Sequence, residues 1–205
     1  MFNLDPTLLL ILTACLFILV FGGLSLLRRE GLSVQFALEA VALTILLVGG
    51  SWLAGIALSP FLLLILLYLV TMRSRLVVDV ANMLAERKRY GPAFRLYKLG
   101  LAWWPDATAR LIVLTNWGIA ELHSGEVDAA IRTLESVLGA ETRSRLGLKY
   151  EAACHYNLGY AFEQKGEEAK ATAQYNETID LLPGSLYAKA AQAALKRRKG
   201  RGIVD

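Results

Sequence analysis

The sequence predicts an all-α protein built for two solvents. A transmembrane segment of three spans comes first. A superhelix of three helix–turn–helix units follows, closed by a C-terminal capping helix. Three observations predict it. From Thr7 to Met72 the chain is almost wholly apolar. From Arg73 onward it is charged and helical in its periodicity. That second part also repeats one spacing of glycines and alanine.

The first apolar run, Thr7–Leu27, has 21 residues and no charge, enough at helical rise to cross a hydrocarbon core of ~30 Å. No Lys or Arg precedes it and no small-x-small site ends it, so it does not read as a cleaved signal. Leu12-Thr13-Ala14-Cys15 imitates a lipobox, but the cysteine lies mid-span with apolar residues on both sides. The second run, Phe36–Met72, has 37 residues, too many for one span. Gly49-Gly50-Ser51 offers a turn, giving spans at about 7–27, 32–48 and 52–72. Trp52 then lies at an interface, and Pro60 kinks the third span.

Charge sets the topology. Three spans put Arg28 and Arg29 on the same side as Arg73 and Arg75, and two spans would part them. The positive-inside tendency therefore favours three, with the N-terminus outside and the rest of the chain in the cytoplasm. The expected location is the cytoplasmic (inner) membrane. Glu39 is the costly residue of the second span. Either it is functional, or it reaches back to Arg28 and Arg29; the simpler reading is the second. A re-entrant hairpin is the alternative to the second span.

Of the 22 basic and 18 acidic residues, two and three precede Arg73, leaving 20 and 15 from Arg73 onward. This mild positive field suits an anionic lipid surface better than nucleic acid. Cys15 and Cys154 fall in different solvents, so no disulfide is expected and the soluble part suits a reducing compartment.

The repeated spacing is clearest in Asn116-Trp117-Gly118 with Gly125 and Ala130, and in Asn157-Leu158-Gly159 with Gly166 and Ala171. A bulky residue follows four positions on, Leu134 or Tyr175, and Pro183 closes the last unit. Gly118 and Gly159 would let paired helices approach. Gly125 and Gly166 would end the first helix in a left-handed conformation. Ala130 and Ala171 would fit tight helix contacts. A weaker copy has Ala81, a turn at Arg89-Tyr90-Gly91-Pro92-Ala93, Tyr97 and Pro105.

These residues resemble the tetratricopeptide (TPR) repeat family, a helix–turn–helix unit of about 34 residues. The units are about 74–107, 111–144 and 152–185. The last two are 41 residues apart, which makes Thr142–Lys149 an insertion or a longer helix. Ser185 reads as an N-cap. Tyr187, Ala191, Ala194 and Leu195 follow on one face of a capping helix at 185–199, before a basic tail at 200–205. The run Lys196-Arg197-Arg198-Lys199-Gly200-Arg201 reads as solvated, with lipid contact as the alternative. Trp103-Trp104 is expected to pack against the second unit, with lipid headgroups as the alternative.

The resemblance implies a concave groove that binds a protein or peptide. Its positions here are Asn82, Asn116, Ile119, His123, Tyr156, Asn157 and Tyr160. Some members of the family clamp a C-terminal carboxylate with two Asn and several basic residues. Asn82 and Asn116 match the Asn positions, but Val78, Ala153 and Asn157 replace the cations. An extended peptide or amphipathic helix suits such a groove better. The Asn side chains could equally satisfy backbone groups of adjacent turns.

No phosphate loop, metal-ligand spacing or nucleophile–base pair appears, so neither enzyme activity nor a cofactor is expected. The reading is a membrane-anchored adaptor or scaffold that recruits or organises a protein or peptide partner, one that is itself a membrane protein or is brought to one being favoured over a freely diffusing one. The runner-up is an accessory subunit of a transporter or envelope-assembly complex in which the membrane bundle is the active part. Self-association through the first unit is a third possibility.

Overall fold

The structure, a computed structural model, describes residues 5–27, 33–139 and 146–201. Among these residues it is all-helical. Three helices form the apolar bundle: α1 (Pro6–Leu27), α2 (Val34–Ala54) and α3 (Pro60–Thr71). Seven form the array: α4 (Arg73–Glu86), α5 (Tyr90–Ala102), α6 (Ala107–Ser124), α7 (Val127–Val137), α8 (Leu148–Gln164), α9 (Glu168–Leu181) and α10 (Leu186–Arg201).

α1 and α2 are long and apolar enough to cross a membrane; at 1.5 Å per residue each is about 32 Å long. Their burial pattern is that of helices with lipid as solvent. Leu10, Ala14, Phe17, Ala40, Leu63 and Leu67 make a small core, while large residues such as Leu19, Leu46, Leu53 and Phe61 stay exposed. Phe17 contacts Phe21 and Phe36, and Phe21 contacts Tyr68, so aromatic rings join the three helices.

The expected turn at Gly49-Gly50-Ser51 does not occur. α2 runs through it, and the Ser51 hydroxyl bonds the Val48 carbonyl at 2.9 Å. In an apolar medium an unbroken helix satisfies its own backbone, and glycine is tolerated within it. The stop comes at Gly55, left-handed at φ 64°, whose N–H bonds the Ser51 and Trp52 carbonyls. Pro60 starts α3 rather than kinking a longer span, because its missing N–H costs nothing at a first turn. α3 is therefore 12 residues, about 18 Å. Nor does it run straight into α4: the two helices bend by 69° at Met72.

In the array, α4 packs on α5, α6 on α7 and α8 on α9, with α10 against α8 and α9. The first turn differs from expectation. α4 ends at Glu86 and α5 begins at Tyr90, so Gly91 is already helical. Lys88, at φ 59°, takes the left-handed position that Gly125 and Gly166 hold in the next two pairs. The close approaches are at Gly118 and Gly159. A Cβ on Gly118 would lie 2.9 Å from Leu134 Cγ, and one on Gly159 2.7 Å from the Tyr175 ring. Tyr97, Leu134 and Tyr175 are almost wholly buried beneath these first helices, as are Ala81, Ala93, Ala130 and Ala171. Trp117 of α6 stacks on Phe94 and Tyr97 of α5, joining the first pair to the second.

Among the described residues of the array, two helix starts are capped by side chains. Asp106 Oδ1 accepts from the Ala109 N–H at 2.7 Å, and Ser185 Oγ from the Ala188 N–H at 3.0 Å. α10 extends to Arg201, beyond the expected helix. Arg198 is not solvated: it bonds the Glu168 carboxylate and carbonyl at the start of α9. Of the insertion expected at Thr142–Lys149, residues 142–145 lie outside the described residues, and Leu148 and Lys149 open α8.

Candidate functional site: a chamber where the array meets the bundle

Arg73, the first residue of α4, ties the two parts together. Its guanidinium meets the Glu39 carboxylate end-on through both terminal nitrogens, Nη1 to Oε2 at 2.5 Å and Nη2 to Oε1 at 2.9 Å. Nε also donates to the Trp103 carbonyl at 2.9 Å and Nη2 to the Trp104 carbonyl at 3.0 Å. Gln35 Nε2 bridges the same groups, donating to Glu39 Oε1 and to the Trp104 carbonyl, each at 2.9 Å. The fork of the guanidinium matches a carboxylate in this way and leaves donors for carbonyls. Glu39 thus has a partner other than the expected Arg28 and Arg29, which lie outside the described residues. Arg73 reaches it because the bend at Met72 turns α4 over the end of the bundle. Trp104 sits at φ 51°, a conformation that costs a β-carbon-bearing residue roughly 1–2 kcal/mol. The bonds to its carbonyl hold it there.

Beside this tie lies a chamber of about 980 Å³, at the upper end of the usual range for ligand cavities. One wall is the end of the bundle, with Phe21 and Leu24 of α1, Gln35 and Glu39 of α2, and Tyr68 and Met72 at the end of α3. The facing wall comes from the inner sides of α4, α6, α8 and α10: Asp79 and Asn82, then Ile112, Asn116 and Ile119, then Tyr150 and Ala153, and finally Tyr187. Both walls mix apolar and polar side chains, with carboxamides from Gln35 of the bundle and from Asn82 and Asn116 of the array. The surface is therefore amphipathic, with charges of both signs.

The expected groove residues divide. Asn82, Asn116 and Ile119 line the chamber. Asn82 Oδ1 accepts from the Tyr97 hydroxyl at 2.6 Å, and Asn116 Nδ2 donates to the Ile112 carbonyl at 2.8 Å. Asn157 is buried and donates to the Ala153 carbonyl at 2.8 Å. Each Asn thus has a structural partner, and Asn116 and Asn157 satisfy the preceding turn of their own helix. His123 lies in the last turn of α6, where its carbonyl accepts from the Tyr90 hydroxyl. Tyr156 packs between Tyr175 and Tyr187, closing α8 against α9 and α10. Tyr160 is exposed. His123, Tyr156, Asn157 and Tyr160 do not line the chamber.

Sequence reasoning missed the bundle's share of the site. Gln35 and Glu39 are one helical turn apart and so share a face, a pairing visible beforehand. That Arg73 would meet them required the bend at Met72, which no residue type announces.

Chemically the surroundings are quiet. Cys154 is buried, 3.4 Å from the Thr115 hydroxyl, and burial pushes its thiol up to about 12. His155 Nδ1 meets Gln174 Oε1 at 2.7 Å. Among the described residues no group of three or more His, Cys, Asp or Glu gathers as metal ligands. Comparison with protein-family models, with curated proteins and with solved structures finds no match to this chain.

Proposed function

We propose that this chain is a membrane-anchored adaptor that holds a partner protein against the membrane surface, with the chamber as its binding groove. The observation carrying the proposal is the chamber's double lining. Asn82, Asn116 and Ile119 of the array face Phe21, Tyr68 and Met72 of the bundle. A segment seated there meets apolar side chains and polar groups from both walls, Ile119 and the carboxamides of the array on one side and Phe21, Tyr68 and Gln35 of the bundle on the other, which suits an amphipathic helix or extended peptide. The partner's segment therefore lies next to a membrane. In this reading α4–α9 are three units of tetratricopeptide type, α10 is their cap, and the protein is a binding protein rather than an enzyme. The array faces the cytoplasm, and α3 with residues 55–59 makes a third crossing of the inner membrane.

The engagement of Glu39 favours this reading over a transport role for the bundle. Its carboxylate is held by Arg73 and Gln35, so it acts as a fastening rather than a free intramembrane charge.

A photo-crosslinking residue placed singly at Asn116, Ile119 or Tyr160 of the full chain, in its native membrane, tests the proposal. Positions 116 and 119 are expected to capture a common protein that position 160 does not. Equal capture at all three, or none at 116 and 119, refutes it.

A further inference from the structure

The two ends of the array differ in chemistry. Successive helices alternate in direction, so the turns fall into two sets. The set away from the bundle is charged: Arg87-Lys88-Arg89, Gly125-Glu126 and Lys165-Gly166-Glu167. Among the described residues, the set on the bundle side holds Trp103 and Trp104 after α5, Leu138 and Gly139 after α7, and Leu182 to Ser185 followed at once by Leu186. Trp103 is 45% exposed, Trp104 83% and Leu186 84%. Among the described residues of the array, Trp104 and Leu186 are the most exposed large apolar side chains. Packing of Trp103-Trp104 against α6 and α7 is not what occurs: Trp117, not these two, fills the contact with α5.

The position of Trp104 decides what such a side chain meets. Its carbonyl is bonded by Gln35, the second residue of α2, and by Arg73, which also holds Glu39. The turn is therefore fixed at the level of α2's first turns. Val34 and Leu38 there are 70% and 64% exposed and belong to the lipid-facing surface of a membrane-length helix. Tyr187, next to Leu186, lines the chamber on the wall that faces the end of α1. Indole rings favour the headgroup layer, where an apolar body and a polar N–H are both satisfied.

We infer that Trp103, Trp104 and Leu186 form a membrane-docking edge that rests in the interfacial layer of the bilayer. This edge gives the array a second attachment to the membrane, besides the covalent one at Met72. It fixes the tilt of the array and therefore the height of the chamber above the lipid. The contact is made by aromatic and aliphatic side chains, so salt leaves it in place, unlike a contact made by basic residues. The inference rests on α1 and α2 crossing the bilayer, and the following test separates the two.

The full chain is reconstituted in phosphatidylcholine vesicles whose acyl chains carry bromine close to the headgroup, a contact quencher of tryptophan. The emission belonging to the turn is the difference between the native chain and a Trp103→Phe/Trp104→Phe variant. The emission of the bundle is the difference from a Trp52→Phe variant. The expected result is loss of most of the turn's emission in brominated vesicles, protection from aqueous iodide, and no change at high salt. Quenching of the turn by iodide and not by bromolipid overturns the inference and leaves the membrane reading intact. Protection from both quenchers also overturns it, by placing the turn in a protein–protein contact. If Trp52 too escapes bromolipid, α2 is not in the bilayer and both readings fall.

Discussion

Cys154 lies in α8 against Thr115 of α6, with its thiol raised to about 12 by burial. A thiol reagent attacks the thiolate, and at pH 8 almost none is present. In a Cys15→Ser background, Cys154 is expected to resist maleimide until denaturant opens the array, so that its labelling tracks unfolding. Rapid labelling of the native protein would contradict this packing. Glu121 behaves differently. Burial raises its pKa, against the hydrogen bond it accepts from Thr133 at 2.7 Å. A carboxyl whose folded pKa lies above its unfolded one holds its proton more tightly in the native state. Its contribution therefore turns unfavourable as pH rises from the unfolded value through the folded one. Glu121→Gln keeps an acceptor for Thr133 and removes that step. The variant's stability, measured by denaturant titration, is expected to fall less across the mildly acidic range than that of the parent. Identical pH profiles would rule this out. Side-chain partners of this kind were the least legible part of the sequence. Glu39 could be recognised as a costly charge, but its partner stands 34 residues away and is chosen by a bend in the backbone.

Helices were more legible than the breaks between them. The long apolar runs specify α1 and α2 through length and composition alone. Gly49-Gly50 reads as a breaker by the rules of water, but within an apolar helix the backbone keeps its own hydrogen bonds and glycine does not end it. Gly55 and Pro60 carried the better signal, a left-handed stop followed by a proline start. Gly118 and Gly159 announce close approach only in combination with the bulky residues 16 positions on, and that pairing is what the structure brings into contact. The two kinds of glycine should respond in opposite ways. Gly159→Ala drives a Cβ to 2.7 Å from the Tyr175 ring, and such overpacking costs about 1–3 kcal/mol. Gly50→Ala meets nothing within 4 Å and stands inside a helix, where alanine is the better former by about 1 kcal/mol. Thermal melting in detergent is expected to show a clear loss for the first and none for the second. A loss at Gly50 would mean that the chain turns there after all.

For the molecule as a whole, the Glu39–Arg73 tie fixes the end of the bundle at which the array stands. Glu39 is in the second turn of α2, so the array lies at the end of the bundle where α2 begins. Ser51 is near the other end of the same helix. If α2 crosses the bilayer, Ser51 and the array must lie on opposite sides, whatever path residues 55–72 take between them. Composition arrives at the same arrangement independently, since it places Arg28 and Arg29 with Arg73 and Arg75 on the positive side. A topology reporter fused after Ser51 is therefore expected outside and one fused after Asp205 in the cytoplasm. Both on one side would mean that α2 does not span. The tie itself can be tested in the same preparation. Its pair is only about a quarter exposed, so removing one partner strands a charge whose hydrogen bonds contribute about 2 kcal/mol. Arg73→Met is expected to loosen the array from the bundle without unfolding it. Protease would then cut near Met72 in membranes holding the variant, while Cys154 stays protected in both proteins. Cleavage at the same rate as the parent would show that apolar contacts alone hold the junction.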